Sequence, residues 1–192
     1  MIITIGGTPG SGKSTVGRLL ARKLKYPRTD IGEIRRGIAR KRGLTLEQYT
    51  TMSVADPRYD RQVDTWQQRL GRTKKNYVVE GRLSWHFIPR SFKVFMYASP
   101  TVGARRVWKD IKLGRPRNEG RRLTSLSRVI ASLRQRMASD RQRYVRYYGV
   151  NPFIRKHYDL WIDTSRLTPQ KMFATIWQAV QRRMTVKKIS TR

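Results

Sequence analysis

Strand-like runs recur along the chain at Ile2–Ile5, Tyr77–Glu80, Val94–Ala98 and Tyr158–Asp163, with a weaker one near Lys25–Thr29. Each is short enough to be a buried strand, and the intervals between them carry helical spacing instead. Val16, Leu19, Leu20 and Leu24 share one helix face after the first run. A second helix is expected from Gly32 to about Arg42, stopped by Gly43, and Thr45-Leu46-Glu47-Gln48 reads as a capping box opening a short third. Asp56-Pro57 opens a fourth, with Tyr59, Val63, Trp66 and Leu70 in phase and Gly71 at its end. Further helices follow from Pro100 to about Leu113, from Leu126 through Val129, Ile130, Leu133 and Met137, and from Thr168 to about Met184, where Met172, Phe173, Ile176, Trp177 and Val180 face inward. Such alternation builds βαβ crossovers and a parallel sheet covered on both faces, and ligands then lie at the carboxyl ends of the strands.

The junction of the first strand and first helix reads Gly7-Thr8-Pro9-Gly10-Ser11-Gly12-Lys13-Ser14, a full G-x-x-x-x-G-K-[ST] loop continued by Thr15. In this setting the backbone N–H groups cradle a polyphosphate, Lys13 reaches its outer phosphates and the Ser14 hydroxyl ligates Mg²⁺. The expected cofactors are therefore ATP and Mg²⁺. The expected fold class is α/β, a P-loop NTPase with a five-stranded parallel sheet in a three-layer α/β/α arrangement, a helical acceptor-binding insertion and a lid.

A length of 192 residues suits one domain. Its expected bounds are 1–185, with a core of 1–30, 74–113 and 156–185, an insertion over about 31–73, a lid and long helix over about 114–150, and a loose basic tail at 186–192. The stretch Gly114 to Arg122 is a Gly/Pro/Arg loop and reads as a cationic lid. No run approaches the ~18 apolar residues that cross a membrane. With no cysteine at all, disulfides and thiolate metal sites are excluded, and a cytoplasmic location is expected. A monomer is expected.

Charge changes the picture more. Lys and Arg number 43 against 12 Asp and Glu, a net charge of +31. Such a chain attracts polyanions, so non-specific nucleic-acid binding is expected, with Arg121, Arg122, Lys187 and Lys188 as contributors, although a merely solvated basic surface reads as well. The scarce acids point to chemistry. Asp30 stands where the second strand meets its helix and reads either as a cap or as a cleft residue. In Glu80-Gly81-Arg82, the acid at a buried strand end can hold Mg²⁺ through water and the arginine can bind phosphate; a turn with an exposed ion pair is the other reading. Arg136, Asp140 and Arg143 share one helix stripe, which is either functional or a solvated face. His86 and His157 lack ligand spacing and read as structural, and the five tryptophans read mostly as core.

Taken in order, the phosphate loop, Asp30-Ile31-Gly32-Glu33-Ile34-Arg35-Arg36, Arg42 to Glu47, Asp56-Pro57 with Asp60 and Asp64, Glu80-Gly81-Arg82, Asp140 to Tyr144, Tyr148-Gly149 and Tyr158 to Ser165 resemble the cytidylate kinase family, in its compact archaeal-type branch of the P-loop nucleoside monophosphate kinases. The resemblance implies γ-phosphoryl transfer from ATP to CMP or dCMP. It implies that Arg36 and Arg82 hold the acceptor phosphate, that Arg136 contacts phosphate and ribose, that Asp140 contacts ribose, that Arg143 lies near the cytosine and that Asp30 lines the acceptor side. Lys13, Arg82 and Arg136 are the expected catalytic residues. The chain departs from the family at Val102–Arg106, which is one residue and one arginine short, and at Asp110, near where a lid arginine is usual, leaving Lys109, Lys112, Arg115 or Arg117 to supply that charge. It also carries fewer surface acids. The alternatives are a kinase of another nucleoside monophosphate or of a small alcohol, and a basic RNA- or ribosome-associated P-loop NTPase.

Overall fold

A computed structural model describes residues 1–114 and 123–189, with side chains as far as Val186. Five strands, β1 (Ile2–Gly7), β2 (Arg28–Asp30), β3 (Tyr77–Glu80), β4 (Phe92–Tyr97) and β5 (Leu160–Asp163), form one sheet in the order β2-β3-β1-β4-β5, every pair parallel. β1 is central. All six of its residues are buried, as a strand covered on both faces requires.

The helices are α1 (Lys13–Leu24), α2 (Ile31–Lys41), α3 (Leu46–Ala55), α4 (Arg58–Gly71), the single turn α5 (Ser84–Phe87), α6 (Pro100–Lys112), α7 (Leu126–Tyr148) and α8 (Pro169–Ile189). On one face of the sheet, Val16 and Leu20 of α1 and Met172, Ile176 and Val180 of α8 pack on Ile3, Ile5, Val94 and Met96. On the other face, Val63, Leu70, Trp85, Phe87 and Tyr144 cover Ile2 and Val79. Fully burying a side chain such as Leu20 or Ile176 stabilises the fold by about 2–3 kcal/mol. A smaller cluster, Ala104, Val107, Val129 and Leu133, joins α6 to α7. This is the three-layer α/β/α fold, and α2, α3 and α4 occupy the interval between β2 and β3.

The capping box is present: Gln48 N–H donates to Thr45 Oγ1 at 3.2 Å and Thr45 N–H to Gln48 Oε1 at 2.9 Å. Several boundaries differ from expectation, among them β4, which runs Phe92–Tyr97 rather than Val94–Ala98. β2 begins at Arg28 because Lys25 adopts φ 55° and closes α1 there. β5 begins at Leu160 because Arg155–His157 form a 3₁₀ turn. Residues 186–189 are not a loose tail but the last turn of α8, since no glycine or proline follows Pro169 to stop the helix. The expected lid loop at 115–122, with Arg115, Arg117, Arg121 and Arg122, lies outside the described residues, as do the side chains of Lys187 and Lys188 and residues 190–192. Among the described residues, no helix is long and apolar enough to cross a membrane.

Candidate active site

The phosphate loop leaves the carboxyl end of β1 and enters α1, whose first turn carries no acid to oppose an anion. The loop is pinned from outside. Thr8 Oγ1 accepts from Ala98 N–H at 2.8 Å and donates to Ala98 O at 3.1 Å, and Thr164 Oγ1 donates to Ser11 O at 3.1 Å. Arg106 reaches Gly10 O at 3.3 Å, Thr164 O at 2.7 Å and Leu167 O at 3.4 Å, so the Val102–Arg106 segment braces the loop. Gly103 makes that brace close: a Cβ there would stand 2.5 Å from Pro9 O.

Lys13 folds back on its own loop, its Nζ donating to Gly7 O at 3.0 Å, Thr8 O at 2.7 Å and Ser11 Oγ at 3.4 Å. Burial, with the charges of Arg82 and Arg136 added, pulls its pKa down to about 7 against the raising influence of Glu80 and Asp30. Arg82 at the end of β3 and Arg136 of α7 thus act on Lys13 from separate parts of the chain.

Ser14 donates to Asp30 Oδ2 at 3.0 Å, while Asp30 Oδ1 caps α2 through Glu33 N–H at 3.1 Å. The cap reading of Asp30 holds, and its other oxygen meets the phosphate loop. Arg36 lies 4.0 Å from Asp30, facing the same end of the cleft. Glu80 is 2% exposed; Arg28 Nε donates to its Oε1 at 2.5 Å, and its Oε2 is buried with no hydrogen-bond partner. Burial raises its pKa, opposed by Arg28. The Ser14 hydroxyl, Asp30 and the unsatisfied Glu80 oxygen are hard-oxygen donors of the kind that could hold Mg²⁺. Among the described residues no three His, Cys, Asp or Glu side chains form a metal cage of their own. Gly17 of α1 makes room for this carboxylate, because any Cβ there would overlap Glu80 Oε1.

Above the sheet lies a narrow cavity lined by Arg35, Asp60, Asp64, Arg82, Arg143 and Tyr144, among others. Asp60 pairs with both Arg35 and Arg143, and Asp140 with Arg82 and with Arg143, the last at 3.0 Å. Arg143 is 1% exposed. Burial, then Arg35, lowers its pKa to about 10, and its Nε is left without a hydrogen-bond partner. Tyr148 donates to Asp64, whose carboxyl is pushed up to about 6 by burial. The stripe Asp140/Arg143 therefore faces inward and is not a solvated face. Arg35 and Arg28 were not singled out from the sequence, nor was Gly17. The signal for Arg35 was present, since Ile31, Arg35 and Ala39 fall at i, i+4 and i+8 and are the buried residues of α2. His86 and His157 ring the Trp85 side chain, with His157 stacked on it at 4.3 Å. Of the five tryptophans only Trp85 is fully buried; Trp66, Trp108, Trp161 and Trp177 are partly so.

A phosphate loop on a five-stranded parallel sheet, with arginines converging from a strand end and a long helix, defines a P-loop phosphotransferase kinase. The described fold is shared with a shikimate kinase from Bacteroides thetaiotaomicron (TM-score 0.63, 14% identity, 94% of this chain and 98% of that one) and a gluconokinase from Sinorhizobium meliloti 1021 (TM-score 0.59, 16% identity, 99% and 97%). A family profile described as an AAA domain matches residues 3–122. The chain is 34% identical over 190 residues to the cytidylate kinase of Archaeoglobus fulgidus, covering 98% of this chain and 97% of that one, and 32% identical over 181 residues to that of Pyrococcus abyssi, covering 94% and 93%. It belongs to the archaeal-type cytidylate kinase family.

Proposed function

We propose that the protein transfers the γ-phosphoryl group of ATP to CMP or dCMP. The observation that carries this reading is the buried Arg82/Asp140/Arg143/Asp60/Arg35 cluster, together with Arg36 at 4.0 Å from the Asp30 that Ser14 of the phosphate loop contacts. An alcohol acceptor such as shikimate or gluconate brings one carboxylate charge, whereas a nucleoside monophosphate brings a dianion that calls for more guanidinium groups to hold it against the anionic tail of ATP.

In the mechanism, the loop amides and Lys13 hold the β- and γ-phosphates, and Lys13 exchanges the carbonyls it now contacts for phosphate oxygens. Ser14, with Asp30 and Glu80 through water, would hold Mg²⁺, which when bound neutralises charge on the phosphates. Arg36 and Arg82 hold the acceptor phosphate and aim one of its oxygens at the γ-phosphorus. Arg136 stabilises charge on the transferring group. The attacking oxygen is already deprotonated, so positioning and cationic stabilisation suffice and no general base is needed. Because Asp140 pairs with Arg82, the acceptor phosphate replaces a carboxylate on a guanidinium already in place, which limits the side-chain ordering needed on binding. Asp140 freed in this way meets the ribose, and Arg143 reaches the base.

The test is ADP release with ATP and Mg²⁺ against CMP, dCMP, UMP, AMP, shikimate and gluconate. Turnover of CMP or dCMP well above all others is expected. Preference for shikimate or gluconate would replace this reading with an alcohol kinase, and ATP hydrolysis unaffected by any acceptor would replace it with an NTPase of another purpose.

A further inference from the structure

The nucleotide cleft uses the carboxyl ends of the strands. The opposite edge, where all five strands begin, is a row of cations. Lys25 precedes β2, Lys74 and Lys75 precede β3, Arg90 precedes β4, and Arg155 and Lys156 stand in the turn before β5; all six are exposed. None of them makes an ion pair among the described residues. The amino terminus joins them at the start of β1, donating to Asn76.

Register makes the row level. Ile3 lies beside Val78 and Phe92, Arg28 beside Val78, and Val94 beside Leu160. Neighbouring strands are about 4.8 Å apart, so four spacings spread the row over about 19 Å on a rigid support. Asp159 is the one carboxylate in these leading segments, and it accepts Lys93 N–H at 2.7 Å. Asp30, Asp60, Glu80 and Asp140 all belong to the cleft. Burial, and then the charges of Lys156 and Lys93, hold His157 below the ordinary imidazole range.

We infer that this edge grips the phosphate backbone of double-helical nucleic acid, separately from the nucleotide site. A duplex carries one negative charge per ~1.7 Å of axis, a density that matches an unopposed row of lysine and arginine. Unpaired bases would need open aromatic faces, but Tyr26 and Tyr158 pack against the core and His157 is stacked on Trp85. A lipid surface would call for an apolar stripe beside the charges, and Ile154 is the one exposed large hydrophobic residue at this edge.

Fluorescence anisotropy with labelled RNA and DNA duplexes of about 20 base pairs, across a salt series, tests the assignment. If all six cations contact phosphates, log K falls against log salt with a slope of about −5. Changing Lys25, Lys74, Lys75, Arg90, Arg155 and Lys156 to Gln is expected to weaken binding by ~100-fold and flatten that slope, while a control with Arg40, Lys41, Arg61, Arg134, Arg141 and Arg146 changed to Gln, of equal net charge, loses less than ~3-fold. Unchanged melting and ADP binding by the edge variant establish that it is folded; should it not fold, Lys74, Lys75, Arg155 and Lys156 alone are changed, with a ~10-fold loss expected. Tighter binding of RNA than DNA, or the reverse, tells which duplex is the partner. Equal losses in edge and control variants, preference for single strands or for phosphatidylserine vesicles, or no binding at low salt would overturn the inference.

Discussion

Arg143 of α7 and Asp60 of α4 form an ion pair in which the guanidinium is 1% and the carboxylate 5% exposed. The pair ties the long helix to the last helix of the β2–β3 interval across the cavity proposed for the acceptor. Asp60 also holds Arg35, and Arg143 also holds Asp140, so removing either partner leaves a buried charge behind. Arg143→Met is expected to destabilise the protein by about 3–5 kcal/mol, read by urea unfolding. A loss below about 1 kcal/mol would mean that the cluster is solvated in solution.

Arg143 and Arg82 should fail differently in turnover. Contacts to a base select among acceptors, whereas contacts to a phosphate align the reacting oxygens. At a temperature where both variants are folded, Arg143→Ala is expected to raise KM for CMP and narrow the gap to UMP, and Arg82→Ala to lower kcat with every nucleotide. Identical acceptor profiles for the two variants would contradict the assigned roles.

Lys13→Met is expected to stay folded and lose about 3 kcal/mol of transition-state stabilisation, ~100-fold or more in rate. Its proton traffic offers a second readout. With the free-state pKa lowered to about 7 and the ordinary value at 10.5, the unfolded chain binds more protons between those limits, so this group's contribution to stability is present above pH 10.5 and lost as pH falls through 7. Phosphate oxygens around Lys13 restore its charge, so nucleotide binding near pH 8 takes up protons. Calorimetric titration with ADP in buffers of different ionisation enthalpy should show that uptake in the wild type and lose it in Lys13→Met.

Gly17→Ala places a methyl group against the buried Glu80 carboxylate. Glu80 is held by Arg28 and cannot swing to solvent. Overpacking of this kind costs about 1–3 kcal/mol, and a displaced Glu80 should raise the Mg²⁺ concentration needed for half-maximal turnover. Melting temperature and a Mg²⁺ titration of turnover check the two effects, and an unchanged Mg²⁺ requirement would remove Glu80 from the metal's surroundings.

Asp64 has its pKa pushed up to about 6 from 3.8 by burial, so the folded state binds more protons between those values. Its contribution to stability is full below pH 3.8 and is lost as pH rises through 6. Thermal melting from pH 4 to 7 should show a shallower dependence in Asp64→Asn than in the wild type.

Much of this was local and therefore readable along the chain. The phosphate loop announces itself because eight consecutive residues must supply the turn, the amides, the lysine and the hydroxyl. Strand and helix periods placed the crossovers, and Thr45 with Gln48 marked a helix start because a capping box closes within four residues. Pairings between distant segments had no such signature. Arg35 and Arg36 are adjacent, yet helix phase turns Arg35 inward to Asp60 and leaves Arg36 facing Asp30 at the cleft. Glu80 meets Arg28 because β2 and β3 are sheet neighbours, with Asp30 registered against Glu80. The excess of cations was plain from composition, but composition has no direction. Only a parallel sheet, which gathers every strand start at one edge and every strand end at the other, separates the cations of Lys25, Lys75, Arg90 and Lys156 from the carboxylates of the cleft.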